Sequence, residues 1–389
     1  MNLSAARERR AQPVEGAAAE QSKVNQPAYI LPHPYLGFVL NPALDSPTRT
    51  ANRGGHAINE LGHVGDTSPL WSPPEDTFVV AVFGGSVAYR FRDQGMVPVV
   101  DAIRKSRELG DREVEIVRFA LGGYKQPQML LTLSYLLSLG ARFDLIINLN
   151  GFNDIVLGAH DNIPVGVSVD FPRGWRSMTA TQPTHAELVH MAAINELTQQ
   201  RTWLAEFTSH PLLYHSSMVS LSWIMIDRIL QRRQADAQLA LAGETGGGGA
   251  IGSLHSYNSS EKMYEDAANV LVRSSIQMNR LAMANGIEYL HVLQPNQYVP
   301  DSKPLGDAQF EVAYLEDHPY RKHVLTGYPK LLEASKQLGV EGVPFLDLTM
   351  LFQKEEEPVY IDTCCHVNQH GNDIMGAAVA KAISRRGWQ

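Results

Sequence analysis

The sequence predicts a three-layer α/β/α domain with a parallel sheet and a helical insertion. Three observations predict it. A continuous apolar, β-branched run without polar alternation stands at 77–85, as a strand covered on both faces does, and further strand candidates follow it. Helical patterns separate the early runs, and strands alternating with helices build parallel sheets with helices on both faces. One long stretch holds helical patterns and no strand pattern, which marks an insertion.

In chain order, the first 28 residues are polar and Ala-rich and read as a flexible tail. Residues 29–77 are rich in Pro, Gly and Asn (HPYLGFVLNP, NELGHVGDTSP) and read as an irregular, aromatic-anchored collar. The regular domain, 78–389, opens with the apolar run TFVVAVFGG at 77–85. Further strands are expected at 114–121 (VEIVRFAL), 144–151 (DLIINLNG), 287–295 (IEYLHVLQP) and 343–351 (VPFLDLTML), which makes five. PQMLLTLSYLLSLG at 127–140 reads as a helix between two of them. Residues 182–285 carry two or three helical patterns, so the insertion spans about 180–260 and a crossover helix leads to the strand at 287. Within it GETGGGGAIGS, 243–253, reads as a mobile loop tip. Trp203, Trp223, Met218 and Met225 lie on helical patterns and read as packing residues.

Composition narrows the function. A formal charge of −8 with no basic patch excludes an ordinary nucleic-acid binder. The only two cysteines, Cys364 and Cys365, are adjacent, which excludes a disulfide framework and a CxxC metal pair. There is no phosphate loop and no GxGxxG, so no cofactor is expected. Cys364 and Cys365 beside His366 make a cysteine nucleophile or a metal site conceivable, but with no further ligand pattern they read as small buried hydrophobes and no metal is expected. The first 28 residues lack an apolar signal core, and no run of 18 apolar residues follows. The chain therefore reads as soluble, cytoplasmic as written and periplasmic or extracellular if a leader has been trimmed.

Four blocks carry candidate chemistry, each at the carboxyl end of a predicted strand or in the last loop, where open α/β sheets bind ligands. In FGGSVAYR, two glycines permit a sharp strand-to-helix turn that exposes Ser86 at the helix start, either as a nucleophile or as a helix cap. In RFALGGYKQPQ, Gly122 and Gly123 form a tight turn or bring a backbone N–H against a reacting oxygen. In NLNGFNDIV, Asn153 offers an amide to an oxyanion and Asp154 a brace for the loop, with a plain Asx turn as the alternative. In YIDTCCHVNQHGNDIMGAAVAKAI, His366 is placed to act as a base, with Asp362 four residues earlier to hold its tautomer. Gln294, Pro295 and Asn296 end a predicted strand near the site and are candidate substrate contacts, as is Tyr124.

Together the blocks resemble the SGNH (GDSL-like) hydrolase family over residues 78–157 and 343–386. The resemblance implies a flavodoxin-like, five-stranded parallel sheet and a serine esterase working through an acyl-enzyme. It implies Ser86 as nucleophile, His366 as base and Asp362 as the third triad member. The Ser86 amide, Gly123 and Asn153 would then form the oxyanion hole, Gly123 being preferred because it precedes Tyr124. The collar is similar to the lead-in of bacterial members linked to polysaccharide modification. Two departures stand out. Gly85 occupies the place of the usual Asp before the serine, and Asp362 precedes His366 by four residues where three are usual. Offsets of three and four share one face of a helical turn, which would let Asp362 reach.

The expected activity is hydrolysis of a carboxylic ester, including deacetylation of a carbohydrate ester, on a small-molecule or carbohydrate substrate. A polysaccharide O-acyltransferase using the same site and a non-catalytic carbohydrate-binding protein retaining the fold are the alternatives. An α/β-hydrolase is disfavoured because that fold places several strands before its serine.

Overall fold

The computed structural model describes residues 29–44, 56–65, 68, 70, 72–106, 112–179, 185–244, 257 and 259–385. The expected tail at 1–28 and most of the glycine-rich tip at 243–253 lie outside the described residues. Contacts divide the chain into two compact units. One comprises 29–178 with 252–389, the other 1–28 with 179–251.

The larger unit is a mixed α/β structure around a parallel five-stranded sheet with helices on both sides. Its first elements, β1 (Ile30–His33) and β2 (Gly37–Leu40), form a separate antiparallel pair. This corrects the wholly irregular collar expected at 29–77. Four-residue strands interrupted by Pro32 are too short to show a period, and the turn between them is closed by a side chain. His33 Nδ1 accepts from the amides of Tyr35 (3.2 Å) and Leu36 (3.1 Å).

The sheet comprises β3 (Thr77–Gly84), β4 (Glu113–Ala120), β5 (Leu145–Asn150), β6 (Glu288–Leu293) and β7 (Phe345–Asp347). Their spatial order is β4-β3-β5-β6-β7, and every neighbouring pair is parallel. All eight residues of β3 are buried, which explains why its sequence shows no alternation. Each Val or Phe so enclosed contributes roughly 1.5–3 kcal/mol of transfer free energy. The last strand is shorter than the 343–351 run implied. Asp347 Oδ1 accepts from the Thr349 amide at 2.8 Å and turns the chain out of the sheet.

Helices α1 (Ser86–Gln94) and α2 (Val97–Arg104) follow β3. Helix α3 (Gln128–Ser138) links β4 to β5, and the short α4 (Phe152–Leu157) follows β5. The second unit holds α5 (His185–Thr208) and α6 (Ser217–Glu244), which pack along one another. Arg201 joins them through Asp227 Oδ1 (2.7 Å) and Gln234 Oε1 (2.8 Å). Among the described residues, these two helices share one seam and leave large apolar side chains exposed. Trp203 is 62% exposed, Met218 75% and Met225 68%, against their expected role in packing.

The chain re-enters the sheet through α7 (Ser260–Ala284), capped by the Ser259 side chain. Helix α8 (Asp307–Ala313) and the long α9 (Pro319–Val340) lie between β6 and β7, and α10 (Gln369–Ser384) follows β7. Helix α10 packs on α1 and α2, while α7 packs on α3 and α9. Among the described residues, no helix is long and apolar enough to cross a membrane.

Candidate active site

Residues from three strand-end segments and from the loop before α10 converge. The first is the turn from β3 into α1. Gly84 ends the strand, Gly85 is the N-cap and Ser86 is the first residue of α1. A Cβ at Gly85 would fall 2.2 Å from Asn153 Nδ2 and 3.3 Å from the Tyr124 carbonyl oxygen, so only hydrogen fits there without displacing the asparagine. That contact is a physical reason for glycine where the resembling family commonly has aspartate. Helix α1 is fixed from behind by the buried Arg118 of β4. Its guanidinium donates to Asp93 Oδ2 (2.7 Å) and the Tyr89 carbonyl (3.1 Å), both on α1.

The second segment is the turn after β4. The Tyr124 amide closes it on the Leu121 carbonyl at 3.1 Å, and Gly123 sits at φ +85°, a conformation that suits the third position of a type II turn. The third follows β5. Asn153 Nδ2 donates to the Tyr124 carbonyl at 2.8 Å, which joins this segment to the second. Asp154 joins the same two, accepting from the Gln126 amide at Oδ1 (2.7 Å) and the Gly151 amide at Oδ2 (3.1 Å). The brace expected of Asp154 thus spans two loops. Burial raises its carboxyl, against the opposing pull of those amides and Lys125.

The fourth segment is the loop before α10. His366 Nε2 lies 2.7 Å from Ser86 Oγ, across 280 residues of chain. His366 Nδ1 lies 2.5 Å from Asp362 Oδ2. The expected helical turn between Asp362 and His366 is absent. The loop is instead the tip of an antiparallel bridge between Tyr360 and Val367, with the Ile361 amide donating to the His366 carbonyl (3.1 Å). Asp362 reaches its histidine by folding back over the tip. Its Oδ1 accepts from the amides of Cys364 (2.9 Å), Cys365 (3.1 Å) and His366 (3.3 Å), leaving Oδ2 for the ring. Burial alone would raise the Asp362 carboxyl. The hydrogen bond and charge of His366, with the Cys365 and Cys364 amides, outweigh it and hold the carboxyl at about 2.

Three expected substrate contacts are placed otherwise. Tyr124 is fully buried, and its hydroxyl donates to the Phe38 carbonyl at 2.5 Å. Asn296 is fully buried as well. Its Nδ2 donates to the Cys364 carbonyl (2.9 Å) and its Oδ1 accepts from the Tyr298 amide (2.9 Å). Gln294 is buried, its amide donating to the Asn150 carbonyl at 3.0 Å. Tyr124 follows β4 and Gln294 and Asn296 follow β6, and all three are buried and bonded within the protein.

Sequence reasoning missed several supporting residues. Gln297 Nε2 donates to the carbonyls of Asp362 (2.9 Å) and Ala313 (3.0 Å), bracketing the histidine loop beside Asn296. Lys125 is fully buried and donates to the Val169 carbonyl. Burial lowers its ammonium to about 8, against the pull of Asp154, Asp170 and Asp161. Arg173 covers the glycine turn, since a Cβ on Gly123 would lie 3.1 Å from its Cδ, and its Nε pairs with Asp161 Oδ2 at 2.6 Å. The QPNQ string after a strand was a usable signal for Gln297. Nothing local distinguished Lys125 or Arg173 from solvated residues.

Chemically, the arrangement joins a hydroxyl, an imidazole and an ionised carboxylate in one hydrogen-bonded line beside an asparagine amide. Such a line can transfer a proton from the hydroxyl as it attacks an electrophile.

A scan against protein-family models finds no match, and a search of curated proteins finds none. Among solved structures, the chain is similar to the acetyl xylan esterase AlAXEase at 12% identity and a TM-score of 0.34, over 79% of this chain and 100% of that one. It is also similar to the lipase Lip_vut3 from a goat rumen metagenome at 14% identity and a TM-score of 0.30, over 78% of this chain and 97% of that one. Likenesses this slight establish neither a shared fold nor a shared activity.

Proposed function

We propose that the protein is a serine-dependent carboxylic ester hydrolase of the SGNH type. The observation that carries the reading is the continuous line from Ser86 Oγ through His366 (2.7 Å) to Asp362 (2.5 Å). His366 Nε2 removes the Ser86 proton as Oγ attacks the ester carbonyl, and Asp362 stabilises the resulting imidazolium. The tetrahedral oxyanion is met by the Ser86 amide at the start of α1, by the Gly123 amide and by Asn153. One hydrogen of the Asn153 amide is committed to Tyr124, which leaves the other for the oxyanion. The intermediate collapses as His366 returns its proton to the departing alcohol. Water, deprotonated by the same imidazole, then releases the acid from the acyl-serine.

The topology supports the finer family reading. In the numbering of the five sheet strands alone, the order is 2-1-3-4-5, which is that of flavodoxin-like doubly wound sheets. Among the described residues, the strand leading into Ser86 is the first of this sheet, whereas an α/β-hydrolase would place several before it.

The test is turnover of short-chain p-nitrophenyl esters by wild type and Ser86→Ala, with acetylated sugars as further substrates and free sugars as acceptors. Wild type should hydrolyse the esters and be labelled at Ser86 by a fluorophosphonate. Equal rates for the two proteins would remove the assignment.

A further inference from the structure

We infer that Cys364, Cys365 and His366 form a binding site for a soft, thiophilic divalent cation of the Zn²⁺/Cd²⁺ class, and that the bound ion blocks the active site by capturing the imidazole. The two sulfurs of this vicinal pair lie on the same side of the chain, Sγ to Sγ 2.9 Å. One donor atom from each of the three residues can be chosen so that all lie within 4.8 Å of one another. Tetrahedral zinc with bonds of about 2.3 Å to sulfur and 2.0–2.1 Å to nitrogen holds such donors roughly 3.5–3.8 Å apart. To reach that geometry the sulfurs must part by roughly 0.9 Å and His366 must turn a ring nitrogen from its present partner.

The backbone beneath the donors is already fixed. Asp362 Oδ1 accepts from the amides of all three residues, and Asn296 holds the Cys364 carbonyl. An ion entering here does not have to order the loop, which lowers the cost of binding. Cys364 is partly exposed and gives access, while Cys365 is buried behind it. Two thiolates and an imidazole are a donor set selective for soft cations over Mg²⁺ or Ca²⁺. On binding, each thiol releases its proton to solvent and forms a metal–sulfur bond. Both ring nitrogens of His366 are engaged, Nδ1 with Asp362 and Nε2 with Ser86, so a metal–nitrogen bond must break one of those hydrogen bonds. The inhibitory half of the inference rests on the proposed ester hydrolysis; the binding half does not.

The full chain, kept reduced with a phosphine, would be titrated with Cd²⁺ and followed by thiolate-to-cadmium charge-transfer absorption. The chain has only two cysteines, so the band reports this site alone. One saturating equivalent is expected, reversible by a chelator and unchanged in Ser86→Ala. The band should shrink in Cys364→Ala and vanish in Cys364→Ala/Cys365→Ala. In His366→Gln it should survive with affinity weakened roughly tenfold or more, as loss of even an outer-shell partner commonly costs that much. Cd²⁺ and Zn²⁺ should also slow fluorophosphonate labelling of Ser86, each rate taken relative to the same protein without metal, and Cys364→Ala should remove the slowing. If the double variant does not fold, the single exchange at the partly exposed thiol decides. No band at stoichiometric Cd²⁺, or an undiminished band in Cys364→Ala, would overturn the site. A band with labelling unaffected would overturn capture of the imidazole. A band without ester turnover by wild type would sink the proposed function and leave the site standing.

Discussion

The two halves of the candidate triad are held in place by different means. Ser86 stands where a fully buried strand passes directly into a helix, and main-chain geometry positions it. His366 stands on a loop outside any helix or strand ladder. One isolated bridge holds its main chain, and side chains do the rest: Asp362 across the tip, and Asn296 and Gln297 from the segment after β6. The nucleophile's place should therefore depend on its glycines and on the Arg118 brace behind α1 more than on other single side chains. The base's place should depend on each bracket individually.

The largest effects test the shared chemistry. Replacing His366 by Ala should cost on the order of 10⁶ in kcat, as loss of a triad base does elsewhere. Asp362 separates charge from scaffolding. Asp362→Asn keeps an oxygen for the three amides and loses the carboxylate, for an expected loss on the order of 10⁴ in kcat. Asp362→Ala should lose at least as much and also speed hydrogen exchange at the amides of Cys364, Cys365 and His366. Equal exchange in the two variants would mean that the loop does not hang on this side chain.

At the nucleophile turn, Asn153→Ala should lower kcat roughly 10²–10³-fold, as removal of one oxyanion donor does. Gly85→Ala should approach the same loss by pushing the Asn153 amide aside, and the double variant should be little worse than either. Additive losses would show that the contact between Gly85 and Asn153 has no catalytic consequence. Asn296→Ala leaves the Cys364 carbonyl without its donor and should cost about 1–3 kcal/mol in chemical denaturation. It should lower kcat more than it changes KM, because the loop bearing the base is loosened and the substrate surface is not.

A pH dependence of stability concerns the frame beneath both. Burial lowers His291 to about 3, and burial with a contribution from His33 lowers His63 to about 3. Both values fall below the unfolded value near 6.5, so between these limits the unfolded chain binds the extra protons. Stability should accordingly fall as pH drops below about 6.5, by up to about 1.4 kcal/mol per pH unit for each histidine. Urea denaturation at pH 7 and pH 5 measures it, and His291→Phe should flatten the slope.

What was legible in the sequence follows the same division. β3 could be read most directly because a β-branched run buried on both faces leaves no polar interruption, and Ser86 because two glycines end that run. The pairing of Asp362 with His366 could be read as proximity, though not as geometry. A helical offset was the simplest way to join residues four apart, and the chain uses a carboxylate wrapped around three amides instead. Asn296 looked like a substrate contact because buried side-chain-to-backbone bonds leave no period or motif. The hairpin at Ile30–Leu40 escaped for the related reason that its turn is closed by a histidine nitrogen rather than by a recognised turn pair.

The 280 residues between hydroxyl and imidazole also order events in time. At synthesis rates of roughly 5–20 residues per second, the serine emerges from the ribosome roughly a quarter of a minute to a minute before its partner. On the proposed function, the nascent chain carries an unactivated alcohol throughout that interval. On that reading, reactivity waits for the last loop to leave the ribosome.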